Sequence, residues 1–89
     1  MVRVIFTPNI QRHVDCPPCE VAGRTVAEVL DVVFASNPRA RGYVLDDRGV
    51  LRKHMMIYVD GQSIGDRESL SDPVADGGEV AVFQALSGG

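Results

Sequence analysis

The sequence predicts an α+β fold in which a mixed sheet of about four to five strands carries one main helix on one face. Two observations support this prediction. The first segment, 2–7, and the last, 79–85, are rich in β-branched residues and have apolar side chains on both faces, as central strands do. Between them, only residues 25–37 combine a helix-start signal with a long helical repeat of apolar residues.

The first strand alternates, with Val2, Val4 and Phe6 on one face. We expect Pro8-Asn9 to stop it and a loose stretch to follow as far as residue 13. A short second strand is predicted at 19–22, antiparallel to the first. The proline pair before it cannot donate ladder hydrogen bonds, which favours an edge or loop position.

The predicted helix begins at Thr25, a favourable N-cap, and Glu28 three residues later completes a capping box. Its apolar residues form a single stripe with helical spacing: Val26, Val29, Leu30, Val33 and Phe34. Asn37 ends the helix because Pro38 disfavours the α conformation of the residue before it.

The second half of the chain is predicted to be mostly strand. After a connector at 39–47, the sequence indicates a brief strand at 50–52, a stronger one at 55–59 and a segment at 62–64 that pairs back onto it. The strand at 79–85 is the last.

This order of elements defines a topology. A hairpin followed by a helical crossover makes the first and last strands parallel neighbours in the middle of the sheet. That arrangement is the β-grasp, or ubiquitin-like, fold. No internal boundary is visible, so we expect one domain over 1–89 with a flexible C-terminal tail at 86–89.

Composition excludes several functional classes. The 89-residue chain has a formal net charge of −3, which disfavours a general nucleic-acid binder. No apolar run approaches the roughly 20 residues of a membrane span, and the N-terminus lacks the pattern of a signal peptide. We therefore expect a cytoplasmic protein with no membrane partner.

The tail reads Leu86-Ser87-Gly88-Gly89. Glycines lack Cβ atoms, so such a backbone can thread a narrow cleft. Each extended residue adds about 3.3–3.6 Å, which gives the Gly89 carboxylate a reach of roughly 10–15 Å from the body. The tail therefore suits another protein's active site, although a Gly-Gly pair alone also fits a frayed terminus.

Cys16 and Cys19 have C-x-x-C spacing, and His13 stands three residues earlier. This pattern fits a redox pair, part of a zinc site with His54 as a distant fourth ligand, or a plain loop. The second cysteine leads into an extended segment rather than a helix, which favours the plain loop. We therefore predict no metal site.

The middle of this acidic chain is basic, through Arg39, Arg41, Arg48, Arg52, Lys53 and His54. Such a segment fits a docking face for an acidic partner or a phosphate-bearing substrate. It also fits a solvated connector, and the sequence leaves the choice open.

Three segments resemble the MoaD/ThiS family of ubiquitin-like sulfur carriers. Residues 57–61, IYVDG, resemble that family's "I-x-V-N-G" strand and turn. Residues 73–80, PVADGGEV, resemble its "x-V-x-D-G-D-E-V" approach to the final strand, and 86–89 match its terminal "x-S-G-G". Gly78 departs from the pattern, where an acidic residue is common, and the cysteine segment is not a family feature.

The resemblance implies a sulfur carrier rather than an enzyme. An ubiquitin-activating-type enzyme would use ATP and Mg²⁺ to adenylate the Gly89 carboxylate, and a sulfur donor would convert it into a thiocarboxylate. A sulfur-acceptor enzyme would then receive the sulfur. The chain itself would bind no cofactor.

In that role Gly88, with Ser87, would thread the partner's channel. Phe83 and Leu86 would form an apolar docking surface, although Phe83 also fits a core position. The receiving pathway stays open among molybdopterin, thiamin, cysteine and related metabolites. The alternatives are an ubiquitin-like modifier joined to lysine amines through Gly89, and a passive β-grasp interaction module.

Overall fold

The computed structural model describes residues 1–85 and confirms the β-grasp architecture. Its elements, in chain order, are β1 (Val2–Phe6), α1 (Pro8–Gln11), β2 (Cys19–Val21), α2 (Val26–Ala35), α3 (Pro38–Val44), β3 (Met55–Val59), β4 (Gln62–Ser63) and β5 (Glu79–Gln84).

The strands form one mixed sheet in the order β2-β1-β5-β3-β4. As predicted, β1 and β5 are parallel neighbours in its interior, with Val4 opposite Val80 and Phe6 opposite Val82. The other pairs are antiparallel, and β5 lies between β1 and β3. The last strand is therefore hydrogen-bonded on both sides.

The core lies between the sheet and the helices. One face of β1, β3 and β5 supplies side chains that are at most 3% exposed, namely Val4, Phe6, Ile57, Val80 and Val82. The predicted stripe of α2 packs against them, and all five of its residues are buried. Burial of this apolar surface is the main source of stability.

The start of α2 follows the predicted capping box. The Thr25 hydroxyl accepts a hydrogen bond from the Glu28 amide at 3.1 Å, and the Glu28 carboxylate accepts one from the Arg24 amide at 2.9 Å. The amides of the first two helical residues, Val26 and Ala27, donate to the carbonyls of Asp72 and Leu70 in the loop before β5. The first turn of α2 therefore also holds that loop in place.

The prediction of a connector at 39–47 was wrong, because most of it is helix α3. The Asn37 side chain accepts a hydrogen bond from the Ala40 amide at 3.3 Å, and Pro38 occupies the first turn. The Asn-Pro pair that ends α2 therefore also starts α3, since proline is favoured at the first helical position. Ala40 and Val44, one turn apart, are fully buried.

Three smaller predictions also differ from the structure. The stretch after β1 is not loose, because α1 begins at Pro8 and buries Ile10 completely. The segment at 50–52 is not a strand, since only Leu51 pairs, as an isolated bridge with Leu45. β4 is one residue shorter than the predicted segment at 62–64, because it ends at Ser63, although the Ile64 amide still donates to the Ile57 carbonyl.

Replacing Thr25 with alanine should lower the free energy of unfolding by about 1 kcal/mol, because the Glu28 amide loses its acceptor. Urea denaturation followed by circular dichroism measures this change. Thr25→Ser keeps the hydroxyl and is the matched control. Equal losses in the two variants would show that the cap contributes nothing.

Candidate functional site: the tail root and the open face of the sheet

The four residues of the predicted tail, Leu86, Ser87, Gly88 and Gly89, lie outside the described residues. The described chain reaches Ala85, immediately after β5. The structure therefore defines the tail root, meaning the end of β5 with the groups that hold it, and the surface beside it.

Backbone and side-chain contacts hold the tail root on both sides. The Ala85 amide donates to the His54 carbonyl at 2.7 Å, which extends the pairing of β5 with β3 by one residue. The Gln84 side-chain carbonyl accepts a hydrogen bond from the Tyr43 hydroxyl at 2.8 Å. The point from which the tail leaves the domain is thus fixed to β3 and to α3.

Tyr43 also links the tail root to the segment after α1. Its ring stacks on that of His13, with centroids 5.5 Å apart and planes 21° apart. Sequence analysis missed this role of Tyr43 because it placed the residue in a connector. The available signal was the helix start at Asn37-Pro38 followed by Ala40 and Val44 at helical spacing.

The face of the sheet opposite the helices is open and apolar in its centre. Ile5 on β1, Ala81 on β5 and Tyr58 on β3 lie side by side on this face, as the strand registers require. Phe83 lies next to them and packs edge-to-face on Tyr58, with ring centroids 5.2 Å apart. Together with Gly61 and Glu79 they line a shallow depression of about 300 Å³.

Phe83 is therefore a surface residue. Its side chain is 36% exposed, whereas its neighbour Val82, on the opposite face, is fully buried. The core interpretation of Phe83 was wrong, and its position beside the tail root fits a docking role. The sequence did not indicate that Tyr58 and Ile5 would share this surface, because the pairing register sets that proximity.

The segments around 60 and 78, which carry the family resemblance, meet at the opposite end of β5. Asp60 and Gly61 form the tight turn after β3, with φ of 49° and 85°. The Asp60 carboxylate accepts a hydrogen bond from the Glu79 amide at 2.9 Å, which fixes the first residue of β5. Gly78 suits this junction, since a Cβ there would lie 2.9 Å from the Ala75 carbonyl oxygen.

The two cysteines are shielded thiols. Cys16 is buried and donates to the Val14 carbonyl at 3.2 Å, while Cys19 is half-buried at the start of β2. Burial raises the pKa of both thiols, and the charge of Asp15 adds to the rise at Cys16. Since the thiolate is the reactive form, this environment disfavours a redox pair at neutral pH.

The zinc interpretation finds no support in the described part of the chain. Within residues 1–85, no three or more His, Cys, Asp or Glu side chains are grouped closely enough to hold a metal ion. The His13 ring stacks on Tyr43.

Among residues 1–85, no helix is long and apolar enough to cross a bilayer. The longest helix, α2, has 10 residues.

The fold and the site define a class of protein: a β-grasp domain whose last described strand lies in the centre of the sheet beside an open, apolar face. The model of the ThiS family matches residues 17–89, so the chain belongs to the ThiS family. Its members are small ubiquitin-like sulfur carrier proteins rather than enzymes, and membership supports a sulfur-carrier or ubiquitin-like role for this chain.

Solved structures agree on the fold. A CysO chain in the BexX/CysO complex from Amycolatopsis orientalis is 22% identical, with a TM-score of 0.83 and full coverage (100%) of both chains. SAMP1 from Haloferax volcanii is 25% identical, with a TM-score of 0.78 and coverage of 99% of this chain and 98% of that one. CysO from Mycobacterium tuberculosis is 21% identical, with a TM-score of 0.80 and coverage of 97% and 100%. No curated protein sequence matches the chain significantly.

Replacing Phe83 with alanine should lower the free energy of unfolding by only about 0.5–1.5 kcal/mol, because the ring is partly exposed and packs mainly on Tyr58. Ile57→Ala, in the core, is the comparison and should cost about 2–5 kcal/mol. Urea denaturation measures both changes. A loss at Phe83 as large as that at Ile57 would contradict its assignment to the surface.

Proposed function

We propose that the chain carries sulfur as a thiocarboxylate on Gly89. The observation that supports this most directly is the family match, which extends over the tail to residue 89. The position of β5 adds a physical argument. A central strand, paired on both sides and tied to His54 and Tyr43, gives the tail a fixed starting point.

The chemistry requires activation, because a carboxylate is a poor electrophile. The Gly89 carboxylate attacks the α-phosphate of ATP, pyrophosphate leaves, and an acyl-adenylate results. Hydrosulfide, supplied directly or released from a donor's persulfide by a reducing thiol, then attacks the acyl carbon, displaces AMP, loses a proton and leaves the thiocarboxylate. ATP and Mg²⁺ belong to the adenylating partner, so this chain supplies the reacting group and the means of recognition.

Three partners follow from this chemistry: an ubiquitin-activating-type adenylating enzyme, a sulfur donor protein or sulfide source, and a sulfur-acceptor enzyme. The open face around Phe83, together with Leu86 in the tail, is the proposed apolar docking surface. Gly88 and Ser87 thread the partner's channel. The Amycolatopsis CysO neighbour was crystallised in a complex, which supports the expectation that such domains act through bound proteins. A cytoplasmic location suits the need for ATP.

A second candidate function is protein modification through an isopeptide bond from Gly89 to a lysine amine. The Haloferax neighbour supports it, since it is named a small archaeal modifier protein. The products distinguish the two functions. A carrier is recovered as a free small protein, whereas a modifier is also recovered on larger proteins.

Deleting Gly88 and Gly89 should abolish sulfur transfer and leave the unfolding free energy unchanged, because the truncated chain keeps the pairing of β5 with β1 and β3 and the hydrogen bond of Ala85 to His54. Adding one alanine after Gly89 should have the same effect in the absence of a trimming protease. The assay follows sulfur incorporation with ATP, Mg²⁺, a sulfide source and cell extract. Glu20→Gln, an exposed change on the edge strand β2, is the control that should retain transfer.

Transfer by the truncated chain would contradict the role of Gly89. Unfolding of the truncated chain would contradict the separation of the domain from its tail.

A further inference from the structure

The tail root is surrounded by positive charge although the chain as a whole is acidic. The cause is topological. β1 runs parallel to β5 and β3 runs antiparallel, so the segment after β1 and the segment before β3 both lie at the end of β5 that leads into the tail. The first segment carries Arg12 and His13, and the second carries Arg52, Lys53 and His54.

Specific contacts join these segments around the tail root. The His54 carbonyl holds Ala85, and Tyr43 joins His13 to Gln84. The Arg52 side chain donates from Nε to the Gly42 carbonyl at 3.1 Å, and Arg41 precedes Gly42 in the last turn of α3. We call the set of Arg12, Arg41, Arg52 and Lys53, with the imidazoles of His13 and His54, the cationic rim.

No residue of the rim forms a salt bridge within the described residues, although Asp46 lies close enough to Arg52 for the two charges to interact. Among residues 1–85, the ion pairs within 4.0 Å are those of the N-terminal amine with Asp76 and of Arg48 with Asp46, and neither includes a residue of the rim. Arg67 adds a further cation nearby, because its guanidinium donates to the carbonyls of Arg52 and Met55 at 2.8 and 2.9 Å. The carboxylates nearest to the rim in sequence are Asp15, three residues after Arg12, and Asp46 and Asp47, of which Asp46 faces Arg48.

The opposite end of β5 carries several carboxylates. Asp60 caps the Glu79 amide there, and Asp76 pairs with the N-terminal amine. Asp72 lines the same depression as Asp60. That end also carries the N-terminal amine and Arg3, so its charge is mixed, whereas cationic side chains predominate in the rim at the end where the tail departs.

We propose that the cationic rim docks against an acidic surface patch on the adenylating enzyme, beside the mouth of its active site. This inference rests on the proposed function and names the surface chemistry of its partner. Because the enzyme's acidic patch attracts the positively charged rim, the domain approaches the enzyme with its tail-bearing end in front. Such steering raises association rates by about 10 to 10³-fold and weakens with salt.

Two observations favour a protein over the other anions. Four residues reach at most about 13–14 Å, which is long enough for a nucleotide to be bound at Gly89 without contact with the rim. A long polyanion such as RNA would also meet the carboxylates at the opposite end of β5 in a chain of net charge −3. A local acidic patch contacts the rim alone.

The test is the association rate constant of the full chain with its adenylating enzyme, measured by stopped flow without ATP. At an ionic strength of about 0.02 M, Arg41→Glu combined with Lys53→Glu should slow association by at least about 10-fold. At about 0.5 M the difference should shrink to about two-fold or less. Arg41→Gln with Lys53→Gln should give an intermediate effect, and circular dichroism should show all variants folded, since both side chains are exposed.

The matched control places the same charge change at the other end, as Arg3→Glu combined with Arg24→Glu. It should slow association by no more than about two-fold. Equal slowing by the two double variants, or slowing that does not depend on salt, would overturn the proposal. Loss of heparin binding in the rim variant with unchanged association to the enzyme would do the same and point to a polyanion.

A different result would contradict the proposed function without contradicting the docking surface. If the wild-type chain associates in a rim-dependent way but no thiocarboxylate forms when ATP, Mg²⁺ and sulfide are added, the docking surface stands and the sulfur chemistry does not. If the wild-type chain does not associate with the enzyme, both proposals fall.

Discussion

The parallel pairing of β1 with β5 is the interaction on which the rest of the structure depends. Four registered pairs, from Arg3 with Glu79 to Phe6 with Val82, join the two ends of the chain. Parallel neighbours need a crossover, and α2 supplies it while covering one face of the sheet. The same pairing leaves room for β3 on the other side of β5, so the final strand becomes the centre of the sheet.

The central position of β5 makes the end of the domain rigid, whereas the proposed function requires the tail to reach into a partner. Val80 and Val82 hold β5 in the core, while Ala81 and Phe83 face the open side beside the same strand. Ala85 is held by the His54 carbonyl, and the tail begins there. A partner that recognises the open face therefore lies at a fixed distance from Ala85, which suits the proposed transfer of a terminal group.

The fold was largely predictable, because its signals are local. The alternation in β1, the Thr25 cap and the stripe of α2 each act within a few residues. The helix α3 was missed because Asn37-Pro38 was interpreted only as a stop, whereas the Asn37 side chain caps the helix that follows. Because of this error, sequence analysis did not include Tyr43 in the predicted site.

The site was predictable only in part, for a different physical reason. Neighbours such as Tyr58 with Phe83, or Tyr43 with Gln84, are brought together by strand register and helix packing, which single-segment patterns do not encode. The basic residues of the middle segment were visible in the sequence. Their grouping with Arg12 around one end of β5 follows only from the directions of β1 and β3.

The most direct test of the central claim is intact-protein mass spectrometry of the untagged chain, purified from its own cells under reducing conditions. Exchange of one terminal oxygen for sulfur adds about 16 Da. Fragment ions must place the change on Gly89, because methionine oxidation adds a similar mass. An alkylating reagent should also label one thiol-like group beyond Cys16 and Cys19. A Gly89 carboxylate that stays unmodified after incubation with ATP, Mg²⁺, sulfide and host extract would contradict the account.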